Sequence, residues 1–384
     1  MGALSGLRIV EMAGIGPAPF TGMMLADHGA EVLRIDRVEP AGLGIAEADP
    51  RRDPLGRGKR SVALDLRRAE GAAAALDLIA CADAVIEGFR PGVMERLGLG
   101  PDVCLRRNPR LVYGRMTGYG QHGPLAPLAG HDIDYIAIAG ALGAIGPKDG
   151  KPVPPLNLIG DFGGGGMLLA FGVVAALLQV ARGGQGQVVD AAMTDGAALL
   201  TAMFHGLAAM GLWTAARGTN LLDGGAPFYD TYETADGRYL AIGAIEPKFY
   251  AALIERLGLA GEDLPAQMDR ANWPKLKARI AAAVRSQTRA EWEAVFAGSD
   301  ACVAPVLTLE EAIRHPHNRA RSTFIEAFGL TQPAPAPRIG PAPPPSPPAP
   351  PMPGADTRQA LADWGFPAAS IERMIADGVA GAGK

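Results

Sequence analysis

Two short stretches concentrate the titratable chemistry of this 384-residue chain. The first, Gly130-His131-Asp132-Ile133-Asp134-Tyr135, sets a histidine and two aspartates in front of the apolar run IAIAGALGAIG. The second sets Asp161 and the glycines Gly163, Gly164, Gly165 and Gly166 in front of MLLAFGVVAALLQVA. Both stretches stand where a helix should begin. A histidine beside a helix N-terminus has its imidazolium disfavoured by the dipole, so it tends to be neutral and able to accept a proton. An aspartate in that position accepts backbone N–H bonds and faces the positive end of the dipole. Together they are two groups that can each remove and return a proton. Structural readings compete: His131 as a hydrogen-bonding residue at a helix start with Asp132 as the cap, Asp134 as structural or near the ligand, and Asp161 as the cap of its helix. Capping does not require four consecutive glycines, which weaken a first turn by roughly 1 kcal/mol each and are tolerated where something approaches the backbone closely. A ligand is the expected neighbour.

The scaffold for these residues reads as alternating strands and helices. LRIVEMA, EVLRIDR, SVALDL, AVIEGF and LVYGRMTG alternate with helical segments, which predicts βαβ units, a mostly parallel sheet and ligands at the carboxyl ends of its strands. Two apolar helices should follow, at about 133–144 and 162–182, then the strand GQVVDAAM and a helix to about Trp213. Asp236-Gly237 joins two strand-like runs and predicts a hairpin. The expected organisation is α/β: residues 1–222 as the first part of a large domain, 223–330 as a small α+β domain, and 331–384 as a connector with C-terminal helices returning to the large domain. The segment from Pro333 to Pro353 holds twelve prolines and should run extended.

Composition narrows the function classes. With 48% hydrophobic and 20% charged residues and a formal net charge of -4, the chain reads as a soluble protein with no electrostatic reason to bind nucleic acid. Cys81, Cys104 and Cys302 fit neither a disulfide framework nor a zinc site, so a cytoplasmic location without metal is expected. The window Met167 to Ala181 falls short of the ~20 residues a bilayer requires, so no membrane span is expected. GIGPAP begins like a dinucleotide fingerprint, but Pro19 replaces its last glycine, which leaves a nicotinamide-dependent oxidoreductase as the least supported reading. GRGKRS lacks the pattern of a phosphate loop, yet Arg37, Arg57 and Arg90 near the carboxyl edge of the sheet suit an anionic ligand with several phosphates, such as coenzyme A.

The blocks GRGKRSVALDL, AGHDIDY, PPLNLIGDFGGGGMLLA, NLLDGGAPFYDTY and AIGAIEPKFY together resemble the family III CoA-transferase superfamily, and within it the α-methylacyl-CoA racemases. The resemblance extends to about Arg321 and is weakest in the proline-rich connector. It implies an interlocked homodimer of subunits, each with a large Rossmann-like domain and a smaller one. It implies His131 and Asp161 as the acid/base pair with Glu246 close to them. It places Arg37, Ala63, Leu64, Asp65, Leu66, Arg90, Gly130, Asp132 and Tyr135, with Gly163 and Gly164, around an acyl-CoA ester.

The implied reaction interconverts (R)- and (S)-2-methylacyl-CoA through an enolate, with His131 serving the (S) face and Asp161 the (R) face. Coenzyme A would enter as part of the substrate, and no cofactor is needed. The N–H groups after Asp161 are candidate donors to the enolate oxygen. Met203 and Met210, seven apart on one helix, either line the acyl chain or are ordinary core methionines. The alternative within the superfamily is a CoA transferase in which Asp161 attacks the thioester to give an anhydride. That chemistry needs no second acid/base group at residue 131.

Overall fold

The computed structural model describes residues 2–39, 49–340 and 346–382. Residues 341–345 of the proline-rich connector lie outside the described residues. The chain forms two compact units, one from residues 1–139, 156–200 and 316–384, the other from 140–155 and 201–315. The second unit therefore begins before residue 223, and it takes a short segment from between the two site stretches.

In order, the first unit contains β1 (Arg8–Met12), α1 (Pro17–Asp27), β2 (Glu31–Asp36), β3 (Lys59–Ala63), α2 (Ala69–Ala80), β4 (Ala84–Glu87), α3 (Val93–Arg96), α4 (Pro101–Arg107), β5 (Val112–Thr117) and α5 (Asp132–Ile138). The next helix, α6 (Ala141–Ala144), belongs to the second unit; the first resumes with a π-helical stretch, Leu158–Gly166, that runs into α7 (Met167–Ala181), followed by β6 (Gln187–Ala192) and α8 (Met193–Leu200). All six strands are parallel, in the order β3-β2-β1-β4-β5-β6. The order reverses between β1 and β4, and at such a point the loops leaving the strand ends open a crevice for ligands.

Alternate strand residues feed two cores, as a sheet covered on both faces requires. Val10, Val85 and Tyr113 pack with Leu78 and Ile79 of α2, whereas Ile9, Ile86 and Val112 pack with Leu25 of α1 and Leu169 and Val173 of α7. The helix over the second face is longer than its apolar window suggests. Leu158–Ala181 is 24 continuous helical residues with mean hydropathy 1.9, long and apolar enough by length and composition to cross a membrane; half of its most apolar window is buried within the fold. The long helix read at about 133–144 is instead α5 and α6, broken at Gly140, whose φ of 84° is left-handed.

The second unit contains α9 (Ala202–Ala209), the hairpin β7 (Tyr229–Glu233) and β8 (Tyr239–Gly243), α10 (Pro247–Arg256), α11 (Trp273–Val284), α12 (Arg289–Phe296), β9 (Val303–Pro305) and α13 (Leu309–Arg314). β7 and β8 are antiparallel and joined through Asp236-Gly237, as the sequence predicts. Its core packs Leu240 and Ile242 against Leu253, Leu276, Ile280 and Trp292.

The chain then re-enters the first unit through α14 (Pro316–Ala320), the hairpin β10 (Phe324–Ala327) with β11 (Leu330–Pro333), α15 (Thr357–Asp363) and α16 (Ala368–Ala376). The proline-rich strand is held by backbone and side-chain bonds: Gly58 N–H donates to Pro348 O at 3.0 Å, and Arg57 donates to Gln332 and to Pro333 O at 2.7 and 2.8 Å.

The ion pairs of this region take Arg57 out of the set read as suiting a polyphosphate ligand. Arg57 is buried and paired with Asp27 at 2.6 Å, Lys59 is buried and paired with Glu11 at 2.6 Å, and Arg60 pairs with Asp363 at 2.8 Å. Lys59 also donates to Pro19 O at 2.9 Å and so ties α1 to the sheet. Replacing Lys59 with methionine strands the Glu11 carboxylate beneath α1. It is expected to destabilise the first unit by about 3–5 kcal/mol in urea unfolding, while the double variant Glu11→Leu/Lys59→Met recovers most of the loss.

Candidate active site

His131 occupies the N-cap position of α5 with extended backbone angles, φ -132° and ψ 175°. Its N–H donates to Asp134 Oδ2 at 2.9 Å, and Asp134 N–H donates to His131 O at 2.9 Å. Asp134 is therefore the side chain that caps, in place of Asp132. One residue of register decides this: Asp132, the first helical residue, is turned inward and buried, and its Oδ1 accepts the Asp161 N–H at 2.7 Å. The His131 and Asp161 backbones are thereby joined through one carboxylate, although each stretch begins a separate helix.

Asp161 does not cap α7. It lies inside the π-helical stretch, whose N-cap is Asn157. A π-helix bonds each N–H to the carbonyl five residues back, and single π turns are frequent at functional sites. The N–H groups following Asp161 are accordingly engaged in that ladder, and an enolate oxygen can use the Asp161 N–H only by displacing Asp132. One turn before, at the i−4 position, Asn157 donates from Nδ2 to Asp161 Oδ2 at 3.0 Å. Gly16, in the turn between β1 and α1, borders the same oxygen: a Cβ there would stand 3.3 Å from Asp161 Oδ2.

Burial raises the Asp161 carboxyl above its ordinary value and the negative charge of Asp132 adds to this, while the Asn157 hydrogen bond and the His131 charge pull it down. A carboxylate raised in this way is a stronger base when ionised. Since the Asn157 N–H stabilises the ionised form, Asn157→Ala is expected to raise the Asp161 value further. Titration of carboxyl 13C shifts should show Asp161 taking up its proton at higher pH in the variant than in the parent.

The four glycines have a neighbour other than a ligand. Cβ atoms on Gly164, Gly165 and Gly166 would stand 2.6 Å from Ala197 N, 2.9 Å from Met193 Cγ and 2.7 Å from Phe20 Cδ1 respectively. These glycines let α8 and α1 cross the Asp161 helix at backbone distance, which corrects the placing of Gly164 on the ligand side. Gly163, half-buried and with Leu200 Cδ1 at 3.4 Å from its Cβ position, is the member of the run least enclosed by protein.

Around this pair the structure assembles part of the expected binding set. The Tyr135 hydroxyl donates to Gly130 O, and its ring meets Tyr119 edge-on at 4.8 Å. Burial pushes the Tyr135 phenol up to about 12; Tyr119, Asp161 and Asp134 raise it and Arg90 lowers it. Arg90 and Arg37 are exposed, beyond the carboxyl ends of β4 and β2, and neither has a carboxylate partner among the described residues. Ala63 and Leu64 are buried and hold the C-terminal segment, Gly381 N–H donating to Ala63 O at 3.0 Å. Asp65 and Leu66 are half-buried at the end of that strand, and Asp65 binds Arg67 at 2.9 Å.

Glu246, Met203 and Met210 belong to the second unit. Glu246 is the exposed N-cap residue of α10. Met203 and Met210 are 55% and 64% exposed, on or at the end of a helix with no buried residue, which rules out ordinary core methionines. Among the described residues no three His, Cys, Asp or Glu side chains gather as metal ligands. Sequence reasoning missed Asn157, Gly16 and Tyr119. Only Asn157 carried a signal, its i−4 spacing from Asp161.

A family model described as CoA-transferase family III matches residues 4–357. Relatives named alpha-methylacyl-CoA racemase are 47% identical in Mus musculus over 376 residues, covering 97% of this chain and 96% of theirs, and 46% identical in Homo sapiens over 377 residues, covering 98% and 97%. A solved CAIB/BAIF family protein from Brucella suis superposes with a TM-score of 0.80 at 25% identity, covering 94% of this chain and 99% of that one.

Proposed function

The chain belongs to CoA-transferase family III, and from that premise we propose that it is an isomerase, an α-methylacyl-CoA racemase, which inverts the carbon bearing the 2-methyl group of acyl-CoA thioesters. The observation that carries this reading is that Asp132, next in the chain after His131, accepts the Asp161 N–H, and His131 lies close enough to Asp161 to act on its carboxyl. A thioester makes the neighbouring C–H acidic enough for a side-chain base, and inversion needs a base on one face and an acid on the other. From (S) substrate, His131 takes the proton and Asp161, protonated, returns one to the opposite face; from (R) substrate the roles reverse. Raising the carboxyl by burial brings its proton affinity closer to that of an imidazole, which a reaction run in both directions requires.

Arg90 and Arg37 supply positive charge for the phosphates of the coenzyme A portion, at the crevice where the strand order reverses. Asp65, Leu66, Gly163 and the block Gly130 to Tyr135 line the thioester. Coenzyme A comes and goes with the substrate. Glu246 reaches the acid/base pair in an interlocked homodimer, with Met203 and Met210 offering an adaptable apolar surface to the acyl chain. An apolar face of α7, with Met167, Phe171 and Leu178 53%, 73% and 50% exposed, supports association with a second copy.

A single enantiomer of 2-methylacyl-CoA, incubated with the protein and no free acid, tests the reading. Chiral chromatography should show both enantiomers accumulating. An intact stereocentre, with coenzyme A passing to an added carboxylic acid, would instead identify a transferase that uses Asp161 as nucleophile.

A further inference from the structure

Glu87 ends β4 beside the reversal of strand order, is 0% exposed, and takes no part in the chemistry above. Its Oε2 accepts the Phe89 N–H at 2.7 Å, and its Oε1 accepts Arg115 Nε at 2.9 Å. Arg115 reaches on to Glu95 of α3 with bonds of 2.9 and 3.3 Å. Between these anchors runs the turn Gly88–Gly92, which carries Arg90 and closes when Val93 N–H donates to Arg90 O at 3.1 Å. The turn is thus held from its start by Glu87 itself and from its far side through Arg115 and Glu95. Gly88 also lies against α1, where a Cβ would stand 3.2 Å from Ala18 Cβ, so the turn has little room to relax.

We propose that Glu87 is a positioning residue for the coenzyme A portion of the substrate, its carboxylate fixing through Phe89 N–H and Arg115 the turn that presents Arg90. This rests on the reading of Arg90 as a phosphate contact. The charge on Glu87 matters because it strengthens both accepted bonds, charge-assisted bonds being roughly twice as strong as neutral ones. Burial raises Glu87 to about 7, opposed by the Phe89 N–H and by Arg115 and reinforced by Glu95. The other groups facing this network are Tyr113 on β5 and Asp190 on β6, opposite Arg115. Because the raised value means that Glu87 gains its charge only as pH climbs through neutrality, the turn is held firmly above that point and loosened below it. The protonated form is the one that burial favours, so the loosening is local and does not unfold the chain.

The test is calorimetric binding of coenzyme A, and in parallel of 3′-dephospho-coenzyme A, between about pH 6 and pH 8. The second ligand lacks the phosphate monoester that itself titrates near 6. Both should bind about tenfold more weakly at the acid end, each 1.4 kcal/mol being tenfold. Glu87→Gln should bind at the weak level across the range, with KM for the thioester raised about tenfold and kcat within about threefold of the parent. Glu95→Gln removes a neighbouring negative charge and should move the midpoint to lower pH. Parental affinity and pH profile in Glu87→Gln, or an unmoved midpoint in Glu95→Gln, overturns the proposal. Arg90→Ala should bind weakly at every pH; unchanged binding there removes Arg90 as a contact, whatever the Glu87 variants show.

Discussion

Replacing His131 with alanine is expected to lower the inversion of 2-methylacyl-CoA by about 10²–10⁴-fold, the usual contribution of a positioned acid or base. The fold should tolerate the change, because the capping bonds at residue 131 use its backbone N–H and carbonyl and the Asp134 side chain. The loss should be chemically lopsided. Asp161 still faces the (R) substrate, removes its α-proton and, after exchange with solvent, returns one to the same face. In D2O the (R) thioester should therefore exchange its α-proton with retention, while the (S) thioester neither exchanges nor inverts. Chiral chromatography combined with mass spectrometry reads both outcomes, and unchanged inversion would remove His131 from the mechanism.

Asp161→Asn is the mirror case and should cost inversion by a similar factor of about 10²–10⁴. Asparagine keeps the size and can still pair with Asn157, but it holds no proton to give or take. Here the (S) thioester should exchange with retention, at the hands of His131, while the (R) thioester stays inert. The parent protein adds a pH signature. Burial lifts the Asp161 carboxyl, so kcat/KM for the (R) substrate should fall on the acid side at a pH above the ordinary aspartate range. Below that point Asp161 is protonated and cannot act as the base; the acid limb belongs to Asp161 and should move upward in Asn157→Ala. Symmetrical loss of exchange from both enantiomers in Asp161→Asn would argue against two independent faces.

How far the sequence carried these conclusions differs by feature. The parallel sheet was readable because its strands are short β-branched runs spaced by helical segments, and the hairpin because Asp236-Gly237 is a local turn signal. The break at Gly140 was not, since a glycine within an apolar helical pattern is compatible with either outcome until its φ is known. Arg57 was misread as ligand-binding because its partner, Asp27, is 30 residues away and meets it only in the fold. The exchange of roles between Asp132 and Asp134 turned on a single residue of helix register. The π-helical stretch was hidden by its own glycines, which signal close approach without saying what approaches. His131 and Asp161 were legible as chemistry, but their link through Asp132 required the structure.

The central claim is that one proton leaves C2 and another arrives on the opposite face, with no acceptor acid and no change at the thioester. It is tested most directly by incubating the parent protein with one enantiomer of 2-methylacyl-CoA in D2O and following the α-proton by 1H NMR. The account predicts that the α-proton signal is lost as the second enantiomer appears, with the thioester intact throughout. A persistent α-proton, with coenzyme A transferred once a carboxylic acid is supplied, would contradict it.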